Sequence, residues 1–166
     1  MPSTYKLISS ITVGTATNTI SFTSIPQTYT DLVIKASLRG STTTTTFAVQ
    51  VNGTTITAVR RLFGGGSGSV DGDTFNEHYI NQSNQTANVF GNTDLYFPNY
   101  TTSINKTFGV DSVSEHNSTD SYRNLASNLT NITDAITSIN LIRTNGNFVQ
   151  YSTAYLYGIS NAWVLY

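Results

Sequence analysis

Cysteine is absent from this chain and charge is scarce: Lys, Arg, Asp and Glu make up 10% of its residues, with a formal net charge of -1. Without cysteine, neither disulfides nor thiolate metal centres can hold the fold, and nothing records a redox compartment. The eight cations, Lys6, Lys35, Arg39, Arg60, Arg61, Lys106, Arg123 and Arg143, are scattered along the chain. Duplex nucleic-acid binding relies on clustered cations that displace counterions, so no nucleic-acid partner is expected. No stretch approaches the roughly 18 apolar residues that span a bilayer, so no membrane partner is expected either. Residues 1–12 show no basic region leading into an apolar run, which argues against a secretory signal. Ala and Glu, which fill helices, are also few.

What is present is hydroxyl and amide: 28 Thr, 19 Ser and 17 Asn in 166 residues. Thr is β-branched and suits a pleated, half-wet surface, whereas Ser and Asn favour turns over helix interiors. This is a β composition. With so little charge, a solitary molecule has little repulsion to keep it dispersed, and burying surface in an assembly is one answer.

Alternation with a period of two recurs along the chain, each run ending at a turn signal. Residues 5–13 stop at Gly14, and residues 19–23 put Ile20 and Phe22 on one face before Pro26. Leu32, Ile34, Ala36 and Leu38 point one way and Asp31, Val33, Lys35 and Ser37 the other, so Val33 implies partial cover on both faces. Phe47, Val49 and Val51 run into Asn52-Gly53, the dipeptide of tight hairpins. Residues 70–92 read as a long irregular loop with one short strand. Residues 121–131 space Tyr122, Leu125 and Leu129 at helical intervals, but a strand or irregular chain is the expectation. A second hairpin is expected at Asn145-Gly146, joining residues 136–142 to 148–159. Eight to ten strands with regular turns point to one domain, residues 1–166, an all-β antiparallel sandwich of jelly-roll-like form. The first and last strands suit pairing in one sheet.

Reactive constellations are thin. The two histidines follow glutamates, as Glu77-His78 and Glu115-His116, and strand neighbours face opposite ways, so neither pair chelates one ion. Asp71-Gly72-Asp73 is like a calcium loop, but the following spacing fits a plain acidic turn better. The Gly64–Gly68 run lacks the Lys-Ser/Thr ending of a phosphate loop. Among the acids, only folding could pair Asp94, Asp111, Glu115 or Asp120 for sugar hydrolysis. The expectation is no catalytic residue, no cofactor, no metal and no enzymatic activity. Ten Tyr and one Trp supply rigid contact area with a polar tip. Tyr5, Tyr155, Tyr157, Trp163 and Tyr166 are the candidate partner-binding residues.

Specific wording adds a resemblance. The opening Tyr5-Lys6-Leu7-Ile8-Ser9-Ser10-Ile11-Thr12-Val13-Gly14, then Ile20-Ser21-Phe22-Thr23-Ser24-Ile25-Pro26-Gln27-Thr28-Tyr29-Thr30-Asp31-Leu32, is joined by Tyr96-Phe97-Pro98-Asn99-Tyr100 and Gln150-Tyr151-Ser152-Thr153-Ala154-Tyr155-Leu156-Tyr157-Gly158-Ile159. Together they resemble a group of tailed-bacteriophage virion proteins common in aquatic viruses, over nearly the whole chain. The resemblance implies a virion structural protein, most simply a capsid decoration (cement) subunit at the capsid surface. Its partners would be the major capsid protein and copies of itself in a homotrimer. The alternative is a tail-fibre or head-fibre tip that binds host carbohydrate.

Overall fold

A computed structural model describes residues 4–44, 46–65, 68, 70–115 and 121–160. Among the described residues thirteen strands follow one another: β1 (Tyr5–Thr12), β2 (Thr19–Phe22), β3 (Asp31–Leu38), β4 (Thr46–Val51), β5 (Thr54–Thr55), β6 (Ala58–Gly64), β7 (Val70–Asp73), β8 (His78–Tyr79), β9 (Gly91–Phe97), β10 (Thr107–Glu115), β11 (Ser121–Leu129), β12 (Ile139–Ile142) and β13 (Thr153–Ile159). The eight to ten expected from turn spacing undercount them because β5, β7 and β8 are too short to alternate visibly.

Two antiparallel sheets form a β-sandwich. The larger has the order β1-β13-β3-β9-β10-β11-β6-β7; the smaller has β2-β12-β4-β5, with β8 pairing β4. Leu32, Ile34, Leu95, Phe97, Phe108, Val110 and Leu156 from the first sheet meet Ile20, Phe22, Phe47, Val49, Val51, Ile139 and Leu141 from the second. Each is 3% exposed or less, and full burial of such a side chain is worth about 1.5–3 kcal/mol. Phe97 and Phe108 stack with ring centroids 4.6 Å apart.

The first and last strands pair, β1 with β13, as alternation suggested. A bulge between Leu7 and Ser9 inserts one residue and resets the parity. Tyr5 and Leu7 therefore face outward, while Ile8 and Ile11, three apart, both pack against the core.

The Asn52-Gly53 hairpin forms as expected, joining β4 to β5 with φ of 47° and 81° at the two residues. Asn52 does more than turn the chain. Its Oδ1 accepts from the amides of Thr137 (2.9 Å) and Ser138 (3.1 Å), and its Nδ2 donates to the Ala135 carbonyl at 2.9 Å.

The Asn145-Gly146 hairpin does not form. Gly146 has a φ of 79°, but Asn145 is not in the left-handed region that this turn requires at both positions. Asn145 instead donates from Nδ2 to Thr44 Oγ1 and offers its carbonyl to Arg143. The chain then crosses between sheets: β12 lies between β2 and β4, whereas β13 lies between β1 and β3. Fully buried Phe148 marks the crossing.

Buried cations hold the loops. Arg39 reaches the carbonyls of Ser83, Gln85, Thr86 and Val89, pinning the 80–90 segment that sequence left irregular. Lys106 Nζ donates to the carbonyls of Thr102 (2.8 Å), Ile104 (3.0 Å) and Thr133 (3.0 Å), and burial pushes its ammonium below the ordinary value. Arg143 donates to the carbonyls of Thr46, Thr44 and Asn145 and to Thr42 Oγ1.

In β11 the alternation by residue type is inverted. Asn124 and Asn128 are buried, at 0% and 1% exposure, while Leu125 and Leu129 stand at 46% and 45%. The register with β10 and β6 enforces this, since Asn128 pairs with Phe108 and Val59, both inward.

Replacing Asn52 separates its two roles. Asn52→Gly keeps the turn but deletes the side-chain hydrogen bonds, an expected loss of about 2–3 kcal/mol. Asn52→Ala adds left-handed strain of about 1–2 kcal/mol and should rank below it in urea unfolding.

Candidate functional site

The outward face of the eight-stranded sheet carries a row of exposed apolar side chains. Tyr5, Leu7, Leu62, Tyr96, Leu125 and Leu129 are all 44–57% exposed, and strand parity puts each of them on this face. A groove of about 930 Å³ runs across it, lined from Tyr5 on β1 to Gly72 on β7. Laid flat, eight strands would separate those edges by about 34 Å. One groove touching both means that the sheet curls with its outer face concave.

Two register rows build the groove. The first runs Tyr157, Val33, Tyr96, Gly109, Ser127, Arg60 across neighbouring strands. Val33 is 6% exposed because tyrosines flank it on both sides, which explains an apolar residue in an outward set. Gly109 leaves the floor without a side chain, and a Cβ there would meet nothing within 4 Å. The second row runs Tyr155, Lys35, Asp94, Asp111, Leu125, Leu62.

The charges in this face largely cancel. Lys35 Nζ lies 2.6 Å from Asp94 Oδ2, and this bond raises the ammonium above its ordinary value. Arg123 holds Asp111 through two contacts, of 2.5 and 3.2 Å. Asp94 and Asp111 are direct cross-strand partners, so four strands carry the sequence plus, minus, minus, plus. Tyr96 donates from its hydroxyl to Asp31 Oδ2 at 2.7 Å, a bond that pushes the phenol up to about 12. Arg60 differs: its guanidinium donates to the neighbouring Val59 carbonyl and pairs with no carboxylate among the described residues.

At the groove's far wall Arg61 is 5% exposed and fixed on all sides. It donates to Asp73 at 2.8 and 2.6 Å and to the Glu77 carbonyl at 2.8 Å, with Phe63, Phe75 and Tyr79 rings about it at 4.9–5.0 Å. Asp73 is therefore committed to a guanidinium, and Arg61 holds its carboxyl below the ordinary value. Asp71 accepts from the Gly72 amide, so the 71–73 stretch is a turn tied to Arg61. No group of three or more His, Cys, Asp or Glu side chains among the described residues is placed to hold a metal ion.

Of the candidate contact residues, Tyr5 lines the groove and stacks edge-on against Tyr157, with centroids 6.4 Å apart. Tyr155 and Tyr157 share the outward face beside it, while Ala154 and Leu156 face the core. Trp163 and Tyr166 lie outside the described residues, as do His116 and Asp120. Glu77 and His78 do point apart: Glu77 accepts from Thr46 and Thr144 hydroxyls, whereas His78 is buried against Phe47. Of the acids that only folding could pair, Asp94 and Asp111 do meet, across the β9–β10 register, while sequence reasoning missed Leu62, Leu125 and Tyr96 as groove residues. Only the strand register joins them.

No family model, curated protein or solved structure matches the chain.

Burial, aided by the Arg61 charge and opposed by Asn128, lowers His78 from 6.5 to about 4. A depressed imidazole favours the neutral fold, so its contribution is complete above pH 6.5 and is lost as pH falls toward 4. The expected loss is about 3 kcal/mol, read from urea unfolding across that window, and His78→Gln should flatten it. The Asp73 loss follows at lower pH, below the ordinary carboxyl value of 3.8.

Proposed function

We propose that this chain is a non-enzymatic virion structural protein, a capsid decoration (cement) subunit that docks through the concave outer face of its eight-stranded sheet. Its partners would be the major capsid protein and further copies of itself, as a trimer at the capsid surface. The observation that carries this reading is the placement of leucines and tyrosines outward on that face while asparagines go inward on β11. Leu62 and Leu125, cross-strand neighbours, make an apolar ridge that has no role in the core.

Three physical features support protein docking. Unrolled, a face about 34 Å wide and about 20 Å tall has an area of the order of the roughly 800 Å² per partner of a standard interface. Four of its exposed charges are already paired, as Lys35–Asp94 and Arg123–Asp111, so covering those four strands no charge in a dry contact. Arg60, lacking a carboxylate, suits an acidic group on the opposing surface. Binding the assembled shell but not its separated subunits shifts the equilibrium toward the intact particle.

A second reading, a fibre tip that binds host carbohydrate, has one observation in its favour. Asp94 and Asp111 lie side by side in the groove with Tyr5 and Tyr96, and cation-fixed carboxylates beside aromatic rings accept sugar hydroxyls well.

Leu62→Thr with Leu125→Thr should leave the fold intact, because both side chains are solvent-exposed and Thr suits a strand, and should cost more than tenfold in binding to stripped phage particles. Re-adding the unaltered protein should raise the temperature of genome release. An unchanged release temperature, or saturable binding on a glycan array, would count against decoration and favour the tip.

A further inference from the structure

The inner face of the eight-stranded sheet changes character toward one end. Along β10, Phe108 and Val110 give way on the same face to Ser112 and Ser114. Ser112 pairs with Thr93 on β9 and Asn124 on β11, so three polar side chains lie in one row, with Ser114 next along its strand. All four are 0–1% exposed. β8 packs over β10 and β11 and closes this end from above.

These groups do not satisfy one another. Thr93 Oγ1, Ser112 Oγ, Ser114 Oγ and both amide atoms of Asn124 have no hydrogen-bond partner among the described residues. Leaving five buried polar atoms dry would cost an amount comparable with the whole stability of a domain. Small side chains stand here where larger apolar ones, Phe108 and Val110, stand in the neighbouring rows.

We propose that Thr93, Ser112, Ser114 and Asn124 hold a small cluster of ordered water sealed between the two sheets. The chemistry of the set selects that ligand. Three hydroxyls and a carboxamide both donate and accept, as water requires, and a buried water typically makes about three such bonds. The set has no carboxylate to neutralise a metal cation and no cation to neutralise a phosphate. The charged groups Arg61 on β6 and Glu115 on β10 are engaged elsewhere: Arg61 with Asp73, and Glu115 with Thr86 and Asn81.

A crystal structure at atomic resolution is the direct test. Water density within hydrogen-bond distance of at least two of the four side chains is the expected result, and its absence would overturn the proposal. Thr93→Val, which keeps the shape and removes the hydroxyl, separates the cases in solution. Loss of a water-bridging group should lower Tm by about 2–4 °C, whereas removing a dry hydroxyl should raise it. A rise in Tm would also overturn the proposal.

Discussion

A cation surrounded by backbone carbonyls is the interaction on which the irregular half of this molecule depends. Arg39, Lys106 and Arg143 each sit nearly fully buried, and each donates to three or more backbone carbonyls with no carboxylate ligand among the described residues. Loops that leave a sheet expose carbonyls with no ladder partner, and burying them unpaired is costly. A side chain with several fixed donors collects those carbonyls at one point. Removing such a centre leaves several acceptors unpaired at once, a loss in the range of about 3–5 kcal/mol found when buried charge contacts are broken. Three of the eight cations of the sequence are thus spent on organising the connections.

The division of labour extends across the larger sheet. Its inner face supplies the core at one end and a polar seam at the other, while its outer face carries apolar side chains with self-paired charges. Arg61 ties these layers together at the edge. From one inward position on β6 it fixes β7 through Asp73, the approach to β8 through the Glu77 carbonyl, and three aromatic rings. The groove wall at that edge is consequently held by a side chain that itself is almost wholly covered.

The strand content was legible in the sequence, and so was the first hairpin. Asn52-Gly53 names its own conformation because both residues must take positive φ. Asn145-Gly146 offers the same letters but only the glycine turns left-handed, since the flanking runs belong to different sheets and tertiary packing overrides the local signal. Alternation alone puts Tyr155 and Tyr157 on one face of their strand, but that this face is the outward one follows only from the burial of Ala154 and Leu156. The groove was not readable at all. Asp94 and Asp111 are 17 residues apart in sequence and adjacent only through the β9–β10 register. β11 misleads in a different way: its buried positions are Asn and its exposed ones Leu, so hydropathy alternation points to the wrong face.

The extra residue in β1 bears on how neighbouring molecules can approach. β1 is an edge of the larger sheet, and an unbroken edge is a template for another chain's backbone. With the spacing offset at Leu7 to Ser9, an incoming straight strand finds its amides and carbonyls out of step midway along. Continuous sheet extension from molecule to molecule is thereby interrupted, and contact falls to side chains on the broad faces.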